Sequence, residues 1–150
     1  MNFTLDDNTH AQVLKLRHFI KNELKPLEDE VEAKGVLDSK TAIEIFEKSR
    51  SLGFYGMNIP TEYGGGGFNA VQMVYLEQEM GQTTDPLILR AFGNVYEVLL
   101  ACNDAQRQQW LLPCVKGERT CSIAMTEPGA GSDSAGIEAT AKPDGDGWIL

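Results

Sequence analysis

The chain has 150 residues, with 22 acidic side chains against 13 basic ones and a net charge of −9. That balance opposes nucleic acid and anionic membrane surfaces, which reward positive charge, and no stretch is long and apolar enough to span a bilayer. The length and the 42% hydrophobic share suit one modest core. Cys102, Cys114 and Cys121 are odd in number and form no Cys-x-x-Cys pair, which reads as reduced thiols in a cytosol-like compartment. Residues 1–7 are acidic, unlike a secretory signal or a basic transit peptide, so a cytoplasmic location is expected.

Val13, Leu16, Ile20, Leu24, Leu27 and Val31 recur at steps of three and four and predict one helical stripe. Thr4 or Asp6 is the expected cap and Gly35 the expected end. Pro26 falls inside the pattern, so a kink or short break is expected between Asn22 and Pro26. His10 and His18 lack any Cys, Asp or Glu pattern of a metal site and read as surface side chains. Asp38 or Ser39 caps a second helix carrying Ala42, Ile43, Phe46 and Leu52, ending at Gly53. Residues 54–60 are expected to cross the core as an extended connection. Gly64 to Gly67 read as a flexible loop; without a following Lys, Ser or Thr, a phosphate loop is the less favoured reading.

Asn69 caps a third helix with Met73, Val74, Leu76, Glu77 and Met80, closed by Gly81, and its methionines read as core filler. Asp85-Pro86 starts a helix predicted to run through Leu89, Phe92, Tyr96, Leu99 and Leu100. Gly93 interrupts it. A mid-helix glycine costs about 1 kcal/mol relative to alanine, so it marks a close approach by a helix or a ligand. Asn103-Asp104 opens a short helix through Gln109, Trp110 and Leu111, stopped by Pro113. Then the pattern changes: residues 120–126 and 137–141 are strand-like, 143–147 form a turn, and Trp148-Ile149-Leu150 begins another strand. The expected fold class is therefore mainly α. A helical part over residues 1–118 is followed, over 119–150, by the first strands of an incomplete β domain. A sheet halted at Leu150 leaves unpaired edges, so the chain is expected to be a piece of a longer protein.

One stretch carries the chemistry: Met125-Thr126-Glu127-Pro128-Gly129-Ala130-Gly131-Ser132-Asp133, with Gly136. Pro128 favours an extended Glu127, Gly129 and Gly131 permit positive φ and close approach, and Ser132 adds a hydroxyl. The residues alone leave two readings, a tight turn between strands or a cradle of N–H groups for phosphate. No Gly-Lys-Ser/Thr follows, so it is not a Walker loop, and no strand–helix alternation supports a dinucleotide fold.

The whole string resembles the flavin-binding signature of the acyl-CoA dehydrogenase family. So do Ile59-Pro60-Thr61-Glu62-Tyr63-Gly64-Gly65 and Gln109-Trp110-Leu111-Leu112-Pro113 followed by Lys116-Gly117-Glu118, in the family's order. The resemblance implies a helical N-terminal domain opening into a β middle domain. It implies bound FAD and oxidation of an acyl-CoA thioester between Cα and Cβ, with a carboxylate taking the α-proton and hydride passing to flavin N5. By the same resemblance, Ile123, Met125 and Thr126 lie along the flavin, Gly131 and Ser132 hold its pyrophosphate, and Ser132 also meets the substrate. At Ile123 many relatives carry an aromatic residue. The resemblance also implies that Leu89, Phe92, Gly93 and Tyr96 line the acyl channel. Glu127 and Asp133 read as structural, because the family's base comes from far downstream, here beyond Leu150. The chain alone is thus expected to be inactive. An electron-transfer flavoprotein or other acceptor, and a homo-oligomer such as a tetramer, are the implied partners. A same-fold oxidase or flavin monooxygenase is the alternative activity, and a non-catalytic helical interaction module is the alternative of another class.

Overall fold

The computed structural model describes residues 5–93 and 95–150. Helix α1 (Asp7–Phe19) starts at Asp6, whose carboxylate accepts the Thr9 N–H at 2.8 Å; Thr4, the other expected cap, lies outside the described residues. The predicted stripe is buried at Val13, Leu16, Ile20, Leu24 and Val31, with Leu27 only partly buried against the same core and Phe19 joining it. The break at Pro26 takes a definite form. Ile20–Leu24 is a π turn, Lys25–Leu27 a 3₁₀ turn, and α2 (Glu28–Lys34) follows, ending at Gly35 with φ +71°. In regular α geometry the Pro26 ring would strike the carbonyl of Asn22. Widening the turn, with Lys25 N–H donating to the Ile20 carbonyl, avoids that collision.

Asp38 caps α3 (Ser39–Ser51), accepting from the Lys40 and Thr41 N–H groups. Its buried residues are Ile45 and Ser49, while Ile43 is exposed. Residues 54–60 cross the core as expected, burying Phe54, Tyr55, Met57 and Ile59, but as consecutive turns rather than an extended strand. The four glycines are not a loose loop. Gly66 and Gly67 N–H groups donate to the Gly56 and Ile59 carbonyls at 3.1 and 2.8 Å. A Cβ at Gly65 would lie 2.1 Å from the Ile59 carbonyl oxygen, so backbone packs on backbone where no side chain fits.

Helix α4 (Ala70–Met80) begins with an Asn69–Gln72 capping box and ends at Gly81; Leu76 and Met80 are buried, whereas Val74 is exposed. Helix α5 (Asp85–Phe92) has Thr84, not Asp85, at its cap position, and it stops at Gly93. The predicted continuation through Tyr96 to Leu100 is replaced by a separate 3₁₀ turn, Glu97–Ala101. Helix α6 (Asp104–Gln106), a π turn over Arg107–Leu111 and α7 (Leu112–Val115) form one rod. Pro113 does not stop it: Leu112 N–H donates to the Arg107 carbonyl, the same widening seen before Pro26.

After Val115 only Ala130 is buried. The expected strands at 120–126 and 137–141 are not formed, since among the described residues no strand lies beside them to complete a ladder. The sheet is one hairpin, β1 (Lys142–Asp144) with β2 (Gly147–Ile149), closed by a two-residue loop with Gly145 at φ +58°; Pro143 belongs to its first strand. Leu150, expected inside the last strand, falls just outside β2 and is 97% exposed. It has no partner because the register already ends at the Lys142–Ile149 pair. The architecture is mainly helical with this small antiparallel pair. Among the described residues no helix is long and apolar enough to cross a membrane.

Helices α1 and α4 run in the same direction and are tied at both ends. Near their starts, Gln72 Nε2 donates to Thr9 Oγ1 at 2.7 Å, and Thr9 Oγ1 donates to Asp6 at 2.8 Å. Near their ends, Arg17 meets Glu79 through two bonds of 2.9 and 2.7 Å. Glu79 is 5% exposed. Its hydrogen bonds from Arg17 hold its carboxyl below the ordinary value of 4.5, against the opposing effect of burial. A depressed carboxylate pKa stabilises the fold above the unfolded value, and that stability is lost as pH falls through the folded value. Arg17→Ala leaves a buried unpaired carboxylate and is expected to cost about 2–3 kcal/mol. Glu79→Gln frees a half-exposed guanidinium and is expected to cost about 1 kcal/mol. Urea denaturation at pH 7 and pH 3 checks both values, and the gap between Arg17→Ala and the unaltered protein narrows at pH 3.

Candidate functional site: a split cavity and an exposed donor segment

A cleft of about 830 Å³ opens between α4, α5 and residues 54–58. Phe54, Met57, Phe68, Met73, Met80, Ile88 and Phe92 supply an apolar lining, with Asn58, Glu77, Tyr96 and Glu97 as its polar members. Asn58 Nδ2 donates to the Val95 carbonyl at 3.0 Å and also to the Glu97 carboxylate, so one side chain ties the core crossing to the segment after α5. Phe92, Gly93 and Tyr96, three of the four residues expected along an acyl chain, line this cleft. Leu89 is half-exposed and lines a second cavity of about 420 Å³, which Gly93 also lines.

Gly93 is the hinge of this arrangement. It adopts φ +60°, and a Cβ there would lie 2.3 Å from Tyr55 Cε2 and 2.5 Å from its Oη. The glycine therefore does two things, ending α5 and admitting the Tyr55 ring. Tyr55 packs edge-on against Phe46, ring centres 5.2 Å apart. Phe46 in turn fills the space a Cβ would need at Gly117, 2.2 Å away, where φ is +74°. The sequence marks Gly93 for close approach but not Tyr55, Asn58 and Glu77 as wall residues. An asparagine and a tyrosine within the apolar run 54–60 were the available signal. Met73 and Met80, read as core filler, serve both core and cleft.

The glycine-bearing segment lies apart from these cavities. Ile123 is 59% and Met125 51% exposed, and Thr126, Gly131 and Ser132 are exposed as well. Glu127 and Ala130 exchange backbone bonds of 3.1 Å each, closing a tight turn. Gly129 and Gly131 do not use the left-handed region open to them; an added Cβ at either meets nothing within 4 Å, so both present bare backbone to open space. The Glu127 carboxylate accepts the Glu138 and Ala139 N–H groups, and Asp133 accepts the Ala135 N–H at 3.1 Å. Both carboxylates are thus engaged in holding the turn. Leu150, the position past which the catalytic carboxylate is expected, lines neither cavity and carries no group that could transfer a proton. Among the described residues the N–H groups of Met125, Thr126, Gly131 and Ser132 have no protein acceptor. Such a row of exposed, unpaired donors beside bare glycines fits an elongated polyanionic group with acceptor-rich rings, which is the chemistry of FAD.

Residues 7–118 match the profile of the acyl-CoA dehydrogenase N-terminal domain, and the chain belongs to the acyl-CoA dehydrogenase family. A 3-(aryl)acrylate reductase of Clostridium sporogenes is 34% identical over 146 residues, covering 94% of this chain and 38% of the relative. The human mitochondrial short-chain specific acyl-CoA dehydrogenase is 28% identical over 147 residues, covering 95% and 35%. The crystal structure of an acyl-CoA dehydrogenase from Geobacillus kaustophilus superimposes with a TM-score of 0.74 at 30% identity, over 97% of this chain and 38% of that one. A glutaryl-CoA dehydrogenase from Mycobacterium smegmatis, in complex with FADH2, has a TM-score of 0.74 at 29% identity and the same coverage, 97% and 38%. The chain spans 38% of the first of these curated relatives and 35% of the second.

Gly93→Ala combines a left-handed backbone with a clash against a buried ring. It is expected to lower stability by about 3 kcal/mol, whereas Gly129→Ala, in open space, is expected to stay within about 0.5 kcal/mol. Denaturation midpoints of the two variants check the contrast.

Proposed function

We propose that this chain is the N-terminal part of an FAD-dependent acyl-CoA dehydrogenase that oxidises the Cα–Cβ bond of an acyl-CoA thioester. Family membership supports the class, and the observation that carries the cofactor is the row of unpaired N–H donors from Met125 to Ser132. When bound, FAD supplies the hydride acceptor. Met125 and Thr126 present donors to the ring, with Ile123 beside it, and Gly131 and Ser132 take the pyrophosphate. Ser132 also meets the substrate. Phe92, Gly93 and Tyr96 wall the acyl cleft with Leu89 at the adjoining cavity; an apolar lining of this kind favours a hydrocarbon chain and excludes water from it. Glu127 and Asp133 are held by backbone N–H groups and read as structural; the resemblance to the family implies that the carboxylate removing the α-proton lies far downstream, beyond Leu150. Residues 1–118 form the helical domain, and 119–150 open a β domain.

The physiological setting follows the same reading: fatty-acid metabolism in the cytoplasm, a homotetramer, and an electron-transfer flavoprotein or other acceptor as the electron sink. A second reading runs the same bond change in reverse, reducing a conjugated acyl group, and the similarity to a protein named 3-(aryl)acrylate reductase supports it.

The test uses the full-length protein. Flavin absorbance in the purified material and reduction of an artificial acceptor on adding acyl-CoA are expected, and Ser132→Ala is expected to weaken FAD about three- to tenfold. Rapid reoxidation by oxygen indicates the oxidase or monooxygenase instead. A colourless protein that stays so on reconstitution leaves the helical interaction module.

A further inference from the structure

The second cavity, of about 420 Å³, is walled by Phe46, Tyr55 and Leu89, with Glu47, Arg90 and Thr120 also in its lining. Tyr55 is 9% exposed, yet its hydroxyl has no hydrogen-bond partner among the described residues. It is not among the fully enclosed side-chain atoms that lack a partner, so solvent reaches it and the donor is open to a ligand. The phenol is wedged against Gly93, which both cavities share, and Phe46 fixes its ring edge-on. Burial raises the phenol above its ordinary value of 10.0, more strongly than the nearby Arg90 lowers it, so it stays protonated and donating at neutral pH.

The rest of the lining narrows the ligand. Glu47 and Arg90 are exposed and opposite in sign, so the cavity has no net charge. Glu47 is bonded to Arg50 at 3.0 Å, and Arg90 donates through Nε to the Ala42 carbonyl at 2.8 Å. The rest of the wall is mainly aromatic and aliphatic, with Tyr55, Thr120 and Cys121 as its uncharged donors. We propose that this cavity binds a neutral, oxygen-bearing group on an apolar body, such as an ether or a ketone, with Tyr55 Oη donating to that oxygen. The oxygen belongs either to a substituent on the acyl chain, which rests on the dehydrogenase reading, or to a separate small molecule.

Full-length protein and its Tyr55→Phe variant distinguish the sources. One arm compares kcat/KM for an ω-methoxyacyl-CoA and for the unsubstituted acyl-CoA of equal length; the other measures binding of acetophenone by NMR titration. A fall of about fivefold in the methoxy-to-plain ratio in Tyr55→Phe assigns the site to the substrate. The same loss in acetophenone affinity assigns it to a separate ligand. If the variant moves neither readout, the proposal is overturned. If no acyl-CoA is turned over while acetophenone binding depends on Tyr55, the dehydrogenase reading fails and the cavity site stands.

Discussion

The contact on which the arrangement depends is the one between Gly93 and the Tyr55 ring. Without a Cβ, residue 93 accepts an aromatic ring at a distance no other residue allows, and its φ of +60° turns the chain out of α5 at the same point. That turn sends Val95 into the second hydrophobic cluster with Tyr55, Ile59, Leu111, Cys114 and Val115. It also divides the interior space into an apolar cleft and a smaller, mixed cavity, with Gly93 in the wall of both. One missing methyl group thus governs a helix end, a core contact and the shape of the candidate site. Gly117 repeats the device with Phe46, and the two rings it and Gly93 admit pack on each other.

Around that contact, polar groups fix positions that hydrophobic burial leaves adjustable. Burial is non-directional, so sliding α1 along α4 by a fraction of a turn would cost little apolar area. The Thr9–Gln72 bond at one end and the Arg17–Glu79 pair at the other select one register. Lys15 Nζ on the Leu52 carbonyl, at 2.7 Å, and Arg90 Nε on the Ala42 carbonyl, at 2.8 Å, do the same for α3 against α1 and α5. The two mid-rod prolines are absorbed by an identical local adjustment, a π turn ahead of each, so the helical rods bend without ending.

Much of the helical part was legible because it rests on local rules. The 3.6-residue stripe from Val13 to Val31, the caps at Asp6, Asp38, Asn69 and Asn103, and the stop at Gly35 all followed from short-range chemistry. What escaped was set by contacts distant in sequence. Apolar residues at Tyr96, Leu99 and Leu100 kept helical spacing with α5, but the helix ends at Gly93, at φ +60°, where the distant Tyr55 ring packs. The four glycines looked loose because nothing local shows the Ile59 carbonyl pressed against them. Residues 120–126 and 137–141 have β-branched and apolar composition, but a strand is a property of a pair, and neither finds one. The glycine-bearing segment was recognisable by its residues, and the geometry adds the identity of its free donors and the engagement of Glu127 and Asp133.

Backbone Cα and Cβ chemical shifts of the full-length protein across residues 90–100 give the most direct measurement of this account. Helical shifts that end at Phe92, with a left-handed Gly93 and ring-current displacement from Tyr55, are the predicted result. Uninterrupted helical shifts from Asp85 through Leu100 would contradict it, since the Tyr55 ring and the division between the two cavities would then have no place in the fold.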